Sequence, residues 1–552
     1  MDPQAEPADD AHIAINGSHP MTKPKVLISD ALSPAAVQIF KDRGIDVDFQ
    51  PALGKDKDKL AEIIGNYDGL AIRSATKATA KILANAKRLK VIGRAGIGVD
   101  NVEIPAATAK GVIVMNTPFG NSITTAEHAI TLMLALAREI PAADASTQAG
   151  KWEKNRFMGV EITGKTLGVI GCGNIGSIVA DRALGLKMKV IAFDPFLSPE
   201  RAKDIGVEKV ELDDLFKRAD FITLHTPLTD KTRNIIDATA IAKMKKGVRI
   251  INCARGGLVD EEALADAIKA GKVAGAAFDV FSEEPAKDNV LFGLGDNVVC
   301  TPHLGAATSE AQENVALQVA EQMSEYLMKG AVSNALNMPS ISAEEAPILT
   351  PFVKLAEHLG AFAGQVTEDP IKKVEIIYDG RVAGMNTKAL TSAVIAGLIR
   401  SVVSGVNMVS APVMAKERGI QISETTQDKS GVYDSYIKVK IETEQHERSV
   451  AGTVFSDGKP RFIQIKGINL DADIGRYMVY TTNEDVPGVI GTLGSMFGEA
   501  GVNIANFSLG RDKQRGDAIA LLYVDELAPD SLISKLLASG KFKRAKALEF
   551  EI

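Results

Sequence analysis

The chain has 552 residues, 45% of them hydrophobic and 24% charged, and a formal net charge of −7. At roughly 150 residues per domain this is enough for about three or four domains, and the balance excludes a wholly disordered, collagen-like or disulfide-stapled protein. The negative balance gives no global field for nucleic acid or an anionic membrane.

The three cysteines, Cys172, Cys253 and Cys300, are too few and too scattered for a disulfide framework or a four-sulfur zinc site. They read as free thiols in a reducing compartment, and no metal is expected. No apolar run reaches the ~18 residues of a membrane span. Residues 1–20 carry Asp2, Glu6, Asp9 and Asp10 with no Lys or Arg. They read as a disordered acidic leader rather than a signal peptide, which makes cytoplasm the default address.

From Lys25, KVLISD reads as a strand and SPAAVQIFKDRG as a helix, with Ser33 as N-cap and Pro34 at the first turn. GLAIRS, KVIGRA and VIVMN are further short strands. Strands alternating with helices predict an α/β domain with a parallel sheet. The loop NTPFGNS leads into a long apolar helix, TTAEHAITLMLALARE, and a second α/β series runs from Lys165 to about Val299. A helix over Ser309–Lys329 follows, placed so that it can return to the first domain. ALNMPSISAEEAPILTP has the composition of a linker. Residues 345–475 mix helical and strand patterns, and spacing alone assigns them no chemistry. Arg476–Ile552 reads β-α-β-β-α-β, the order of a ferredoxin-like module. The expected domains are therefore 21–118 with 311–338, then 119–310, 345–475 and 476–552.

The strongest local signal is KTLGVIGCGNIGSIVADRALGLKMKVIAFD. A strand, TLGVI, leads into Gly171, Gly173 and Gly176, and a helix opens at once. The first glycine permits a tight turn, the second lets backbone N–H groups approach a pyrophosphate, and the third lets helix and strand pack closely. The helix N-terminus then faces the phosphates. The next strand ends at Asp194, whose carboxylate would bind a ribose 2′-OH and repel a 2′-phosphate, favouring NAD over NADP. The alternative is a glycine-rich turn without a ligand.

Hydride transfer from a secondary alcohol needs a base for the hydroxyl proton, a cation for the substrate carboxylate and carbonyl oxygen, and an acid to orient the base. VRIINCARGG, AAFDVFSEEP and NVVCTPHLGAAT supply these types after strands, as Arg255, Glu284 and His303. Ligands in open α/β sheets bind at the carboxyl ends of strands, so the three can converge. His225 in FITLHTPLT also follows a strand and rivals His303. Glu283 rivals Glu284, and Arg255 can equally be a plain ion-pair partner.

Together GCGNIG with Asp194, NCARGGLVDE, FDVFSEEP and TPHLGAAT resemble the D-isomer-specific 2-hydroxyacid dehydrogenase family, from about Met21 to Lys329. The resemblance implies two Rossmann-like doubly wound domains. It implies Arg255 as the substrate-binding arginine, Glu284 as the acid that raises the histidine pKa, and His303 as the proton donor and acceptor. It also implies NAD as cofactor: Asn174 and Ile175 at the pyrophosphate, Asp194 at the ribose, and Thr226 and Pro227 near the adenosine half. Cys253, Ala254, Asp279 and the His303–Ala306 turn, with Gly305, would surround the nicotinamide. Arg73, Ser74 and Thr76 resemble the family's substrate-anion site. Loop amides around Gly96 and Gly98 would help it, and Asn121 and Ser122 would close it. Trp152 and Lys154 match positions that some members extend toward a neighbouring subunit's site.

The tail NEDVPGVIGTL with GEAGVNIANFSL resembles an ACT domain, with Asp485, Pro487, Gly488 and Asn503 as amino-acid contacts. One branch of the family has His and Asn where this chain has Asn483 and Asp485. Residues 345–475 resemble the allosteric substrate-binding domain of long family members. The whole pattern implies 3-phospho-D-glycerate as substrate, at the first step of serine synthesis, with L-serine as effector and a homotetramer. The rival activities are a glyoxylate or hydroxypyruvate reductase, or an NAD-sensing binding protein.

Overall fold

A computed structural model describes residues 23–403, 405–428 and 433–551. The leader expected at 1–20 lies outside them.

The short apolar runs of the first third form five parallel strands. Their order is Asp46–Phe49, Lys25–Ile28, Gly69–Ile72, Val91–Arg94 and Ile113–Asn116. The first helix, Pro34–Asp42, begins as its sequence dictates: Ser33 Oγ accepts from Ala35 N at 3.3 Å, with Pro34 in the first turn. The helix Ser309–Lys329 packs back on this sheet. Its Val315, Val319 and Met323 share a core with Val26, Ile28 and Val91. Gly93 permits that approach, because a Cβ there would lie 2.2 Å from Met323 Sδ.

The second sheet has seven parallel strands. They run Val298–Cys300, Val273–Phe278, Val248–Asn252, Phe221–Leu224, Thr166–Ile170, Lys189–Phe193 and Glu208–Lys209. Its apolar side chains fill two clusters, one on each face, and the helix Ser122–Arg138 covers one of them through Ala129, Met133 and Leu136. Burial on both faces explains why these strands are near-continuous apolar runs.

Two further sheets follow. The six-stranded one runs Gln421–Gln427, Ile371–Gly380, Ser435–Thr443, Glu447–Val454, Pro460–Ile465 and Ile468–Asp473; only its first pair is parallel. The four-stranded one is antiparallel: Ile504–Arg511, Asp517–Val524, Tyr477–Glu484 and Phe542–Glu549, with helices Val489–Glu499 and Asp530–Ala538 between. This is the ferredoxin-like order expected of the tail. The helix Glu345–Gln365 ties the two sheets together. His358 Nε2 lies 3.0 Å from Glu551 O, and Gln365 pairs with both backbone groups of Glu549, at 2.8 and 3.0 Å. One apolar cluster runs from the first sheet through Phe352 and Phe362 of this helix to Tyr480 and Phe550. Among the described residues no helix is long and apolar enough to cross a membrane.

Candidate active site

In the second sheet, register alone assembles a site. Cys300, Phe278, Asn252, Leu224, Ile170 and Phe193 are successive ladder partners across six strands. The chain leaves the sheet just beyond this row, so Thr301, Asp279, Cys253, His225, Gly171 and Asp194 emerge along one edge. Arg255 and His303 follow two residues later on their loops.

The glycine loop has the shape a dinucleotide needs. Gly171 has φ +88°, and a Cβ there would meet His225 O at 2.7 Å. A Cβ on Gly176 would lie 2.0 Å from Gly171 O, so helix and strand pack through it. A Cβ on Gly173 meets nothing within 4 Å. Gly173 opens the helix Asn174–Gly185, leaving its positive end facing open space, as a pyrophosphate requires. Asp194 accepts from Cys172 N and Phe196 N, each at 2.8 Å, which fixes its carboxylate at the loop's rim. Gly176→Ala should therefore cost about 1–3 kcal/mol of domain stability through overpacking. Gly173→Ala should leave the melting curve in place and weaken NAD binding. Thermal melting with and without NAD distinguishes the two.

His303 and Glu284 meet: His303 Nδ1 lies 2.7 Å from Glu284 Oε2. The other oxygen, Oε1, accepts from Phe281 N at 3.1 Å, which orients the carboxylate. The Glu284 hydrogen bond raises the His303 pKa, against burial and the Arg255 charge. Burial works to raise Glu284, but the hydrogen bond and charge of His303 prevail and lower it. Both shifts favour the ion pair. The backbone of His303 is left-handed, φ 58°. Buried Asp279 holds that turn, accepting from Leu304 N, Gly305 N and Thr301 Oγ1 at 2.7, 2.8 and 2.6 Å. His128 Nε2 stands 3.2 Å from the same carboxylate.

The rival His225 is poorly suited to act as a base. Burial holds its pKa down to about 3, its Nε2 is spent on Thr223 Oγ1 at 2.8 Å, and its Nδ1 is buried without a partner. The exposed Glu283 forms no hydrogen bond or ion pair with His303, whose Nδ1 is paired with Glu284.

Arg255 reaches across to the first domain. Its Nε donates to Asp100 Oδ2 at 3.2 Å, and Asn252 clamps its backbone, donating to Arg255 O at 2.9 Å. A Cβ on Gly98 would fall 1.9 Å from Arg255 Nη2, so that glycine makes room for the guanidinium. Arg73 follows strand Gly69–Ile72; Asp30 fixes its loop by accepting from Arg73 N, Thr76 N and Thr76 Oγ1 at 2.6, 3.1 and 2.8 Å. Ser74 is exposed beside it. Sequence reasoning missed Arg94, at the end of the next strand. Burial, then the charges of Arg255 and Arg73, lower its pKa to about 10, and its Nε is buried without a partner. Its strand-end position in KVIGRAG, in register with Ile72 and Asn116, was the available signal.

Three expected contributions change. The Gly96 N–H is spent on Thr117 Oγ1 at 2.6 Å, so it does not face a substrate. Ser122 Oγ donates to Pro118 O at 2.9 Å and works within its own turn, whereas Asn121 Oδ1 beside it is buried and unpartnered. Lys154 lies on an exposed segment and contacts none of these groups within one chain. In the tail, Gly488 has φ +89° at the start of its helix, but Asp485 already accepts from Arg511 Nη1 at 2.7 Å and Arg515 N at 3.2 Å. Asn503 likewise donates to Asp525 Oδ2 at 2.7 Å.

Residues 130–305 match the family described as D-isomer specific 2-hydroxyacid dehydrogenase, NAD binding domain. Residues 348–466 match the D-3-phosphoglycerate dehydrogenase intervening domain. A D-3-phosphoglycerate dehydrogenase of Synechocystis is 43% identical over 93% of this chain and 93% of its own. One of Archaeoglobus fulgidus is 44% identical over 91% of this chain and 95% of its own. The chain belongs to the D-3-phosphoglycerate dehydrogenase family. The enzyme is thus an NAD-dependent oxidoreductase. Solved structures of smaller relatives cover its first two domains' worth of chain. A glyoxylate reductase of Paecilomyes thermophila covers 57% of it and 99% of its own chain, at 30% identity and TM-score 0.53. A D-lactate dehydrogenase of Aquifex aeolicus, complexed with NAD and lactic acid, covers 57% and 100% at 27% identity and TM-score 0.50.

Proposed function

We propose that the enzyme oxidises 3-phospho-D-glycerate at C2 to 3-phosphooxypyruvate, the first step of L-serine formation. The observation that carries this reading is the group of Arg73, Arg94 and Arg255: the charges of Arg255 and Arg73 both act on Arg94, and that of Arg255 also acts on His303. A substrate with a carboxylate at one end and a phosphate at the other suits three guanidiniums better than a small monoanion does.

NAD, held by the Gly171–Gly176 loop and Asp194, supplies the hydride acceptor for C2. Arg255 binds the carboxylate and the C2 oxygen. Arg94 and Arg73 take the phosphate. His303 Nε2 removes the hydroxyl proton, since Nδ1 is committed to Glu284. Glu284 stabilises the imidazolium that results. Closure of the first two domains would exclude water, with Arg255 and Asp100 meeting across the cleft.

The competing reading is a reductase for small 2-oxo acids. It would leave the intervening and C-terminal domains without a role. NADH formation with 3-phosphoglycerate, glycerate and lactate separates the readings. Comparable kcat/KM on all three would reject the phosphorylated substrate.

The tail acts as an ACT domain that binds L-serine near Pro487 and Gly488, with Asp485 and Asn503 exchanging their present partners for the ligand. A serine titration should lower turnover and raise protection of residues 485–493. Binding too weak to saturate would remove this regulation. A homotetramer in the cytoplasm completes the reading, and sedimentation of the full chain tests the subunit number.

A further inference from the structure

The turn that carries His303 is held from a second direction. The helix Ser122–Arg138 follows the last strand of the first sheet and lays two side chains, one turn apart, against it. Thr125 Oγ1 donates to Gly305 O at 2.9 Å. His128 Nε2 lies 3.2 Å from Asp279 Oδ1 and 3.3 Å from Thr301 Oγ1. Thr301 Oγ1 spends its own hydrogen on Asp279 Oδ1, at 2.6 Å, so a hydrogen on His128 Nε2 is what these two oxygens can accept. A Cβ on Gly305 would lie 3.3 Å from Asp279 Oδ2 and 3.4 Å from Thr125 Cγ2, which encloses the turn between them.

A left-handed backbone is costly for a residue with a Cβ and persists where its surroundings over-determine it. At His303, φ 58°, the surroundings are Asp279, whose two oxygens accept from the next two N–H groups at 2.7 and 2.8 Å. A proton added to either oxygen would face a donor already in place. Asp279 is fully buried, and an ion so deep needs matching donors. Burial works to raise its pKa, but the hydrogen bond of His128, then those of Thr301 and Leu304 N, hold it below the usual carboxylate range. Among those donors, His128 alone comes from the helix.

We propose that His128 is a positioning residue for proton transfer at His303: its Nε2–H secures the Asp279 carboxylate, which in turn holds His303 and its turn in place. The inference rests on His303 as the proton carrier, which His303→Ala tests by itself; the His128 variants test the support. Three further titratable groups feel the Asp279 charge: His303 on the turn, Glu284 on its loop, and Cys253 at the end of the neighbouring strand. All three are common to the wild type and the variants, so a difference between these proteins reports the His128–Asp279 pair.

The acid end of the reductive pH profile tests this. Reduction by NADH needs His303 protonated, so its rate holds toward low pH until Asp279 takes a proton and the turn gives way. The substrate is whichever 2-oxo acid the wild type reduces fastest, so the outcome does not depend on the phosphate. Rates are read in the first seconds after a pH jump, while the proteins are still folded. His128→Phe keeps the shape of the ring and loses its hydrogen. The acid limb of kcat/KM should then move up by about one to two pH units, the change for one hydrogen bond to a charged group. Glutamine places an N–H where Nε2 was, so His128→Gln should return the limb toward its wild-type position. A merely structural role would lower the whole profile and leave the limb where it is. His128→Leu, smaller than the ring, carries the same expectation if the phenylalanine variant does not fold. An unmoved limb in the variant without the donor, or a limb displaced equally in His128→Gln, would overturn the proposal.

Discussion

His303→Ala should lower turnover by about 10²–10⁴-fold, the range for loss of a positioned general acid–base group. The reason is geometric. Nδ1 is fixed 2.7 Å from Glu284, the turn is fixed by Asp279, and among the described residues no second imidazole is placed to substitute. His225 is buried neutral, and His128 is engaged with Asp279 and Thr301. NAD binding should change little, because the glycine loop and Asp194 lie on other strands. Glu283→Ala should keep turnover near the wild type, since its side chain is exposed and Glu284 is the partner of His303. Steady-state rates of the two variants, with NADH binding followed by fluorescence, check both points. Near-normal turnover in His303→Ala would reject the assignment.

Most of this site was readable before any coordinates, for a physical reason. Parallel strands deliver whatever follows them to one edge, so a loop after each apolar run is a candidate position. Gly171, Gly173 and Gly176 carried distinct steric demands, and the structure meets each in a different way. Spacing alone left His303 and His225 open, because both follow strands; the family resemblance chose His303, and the burial of His225 beside Thr223 agrees with that choice. Arg94 was missed because it closes its strand instead of following it, and its side chain reads like any polar strand end. For Gly96 and Ser122 the sequence could not show how much hydrogen-bonding capacity stays free, because that depends on Thr117 and Pro118, which only folding brings alongside. The 345–475 region was silent to spacing for another reason: its six strands pair mostly antiparallel, so no shared edge concentrates chemistry.

Glu284→Gln should alter the pH dependence with a definite sign. The carboxylate hydrogen bond is the leading cause of the raised His303 pKa, and the His303 charge in turn keeps Glu284 ionised against burial. Oxidation of the alcohol needs neutral imidazole, so its rate climbs as pH rises through that pKa. With glutamine the pKa falls, and the climb moves to lower pH. Reduction of the 2-oxo acid needs imidazolium, so its rate falls as pH rises, and in the variant it falls sooner. Above both pKa values the reductive rate should drop about tenfold for each pH unit of displacement, 1.36 kcal/mol apiece. The oxidative plateau should also fall, since a neutral amide stabilises the imidazolium less than a carboxylate does. Profiles of kcat/KM in both directions test this. A structural role alone would lower both curves without moving them along the pH axis, whereas loss of the charge shifts the two limbs in the same direction and penalises reduction more.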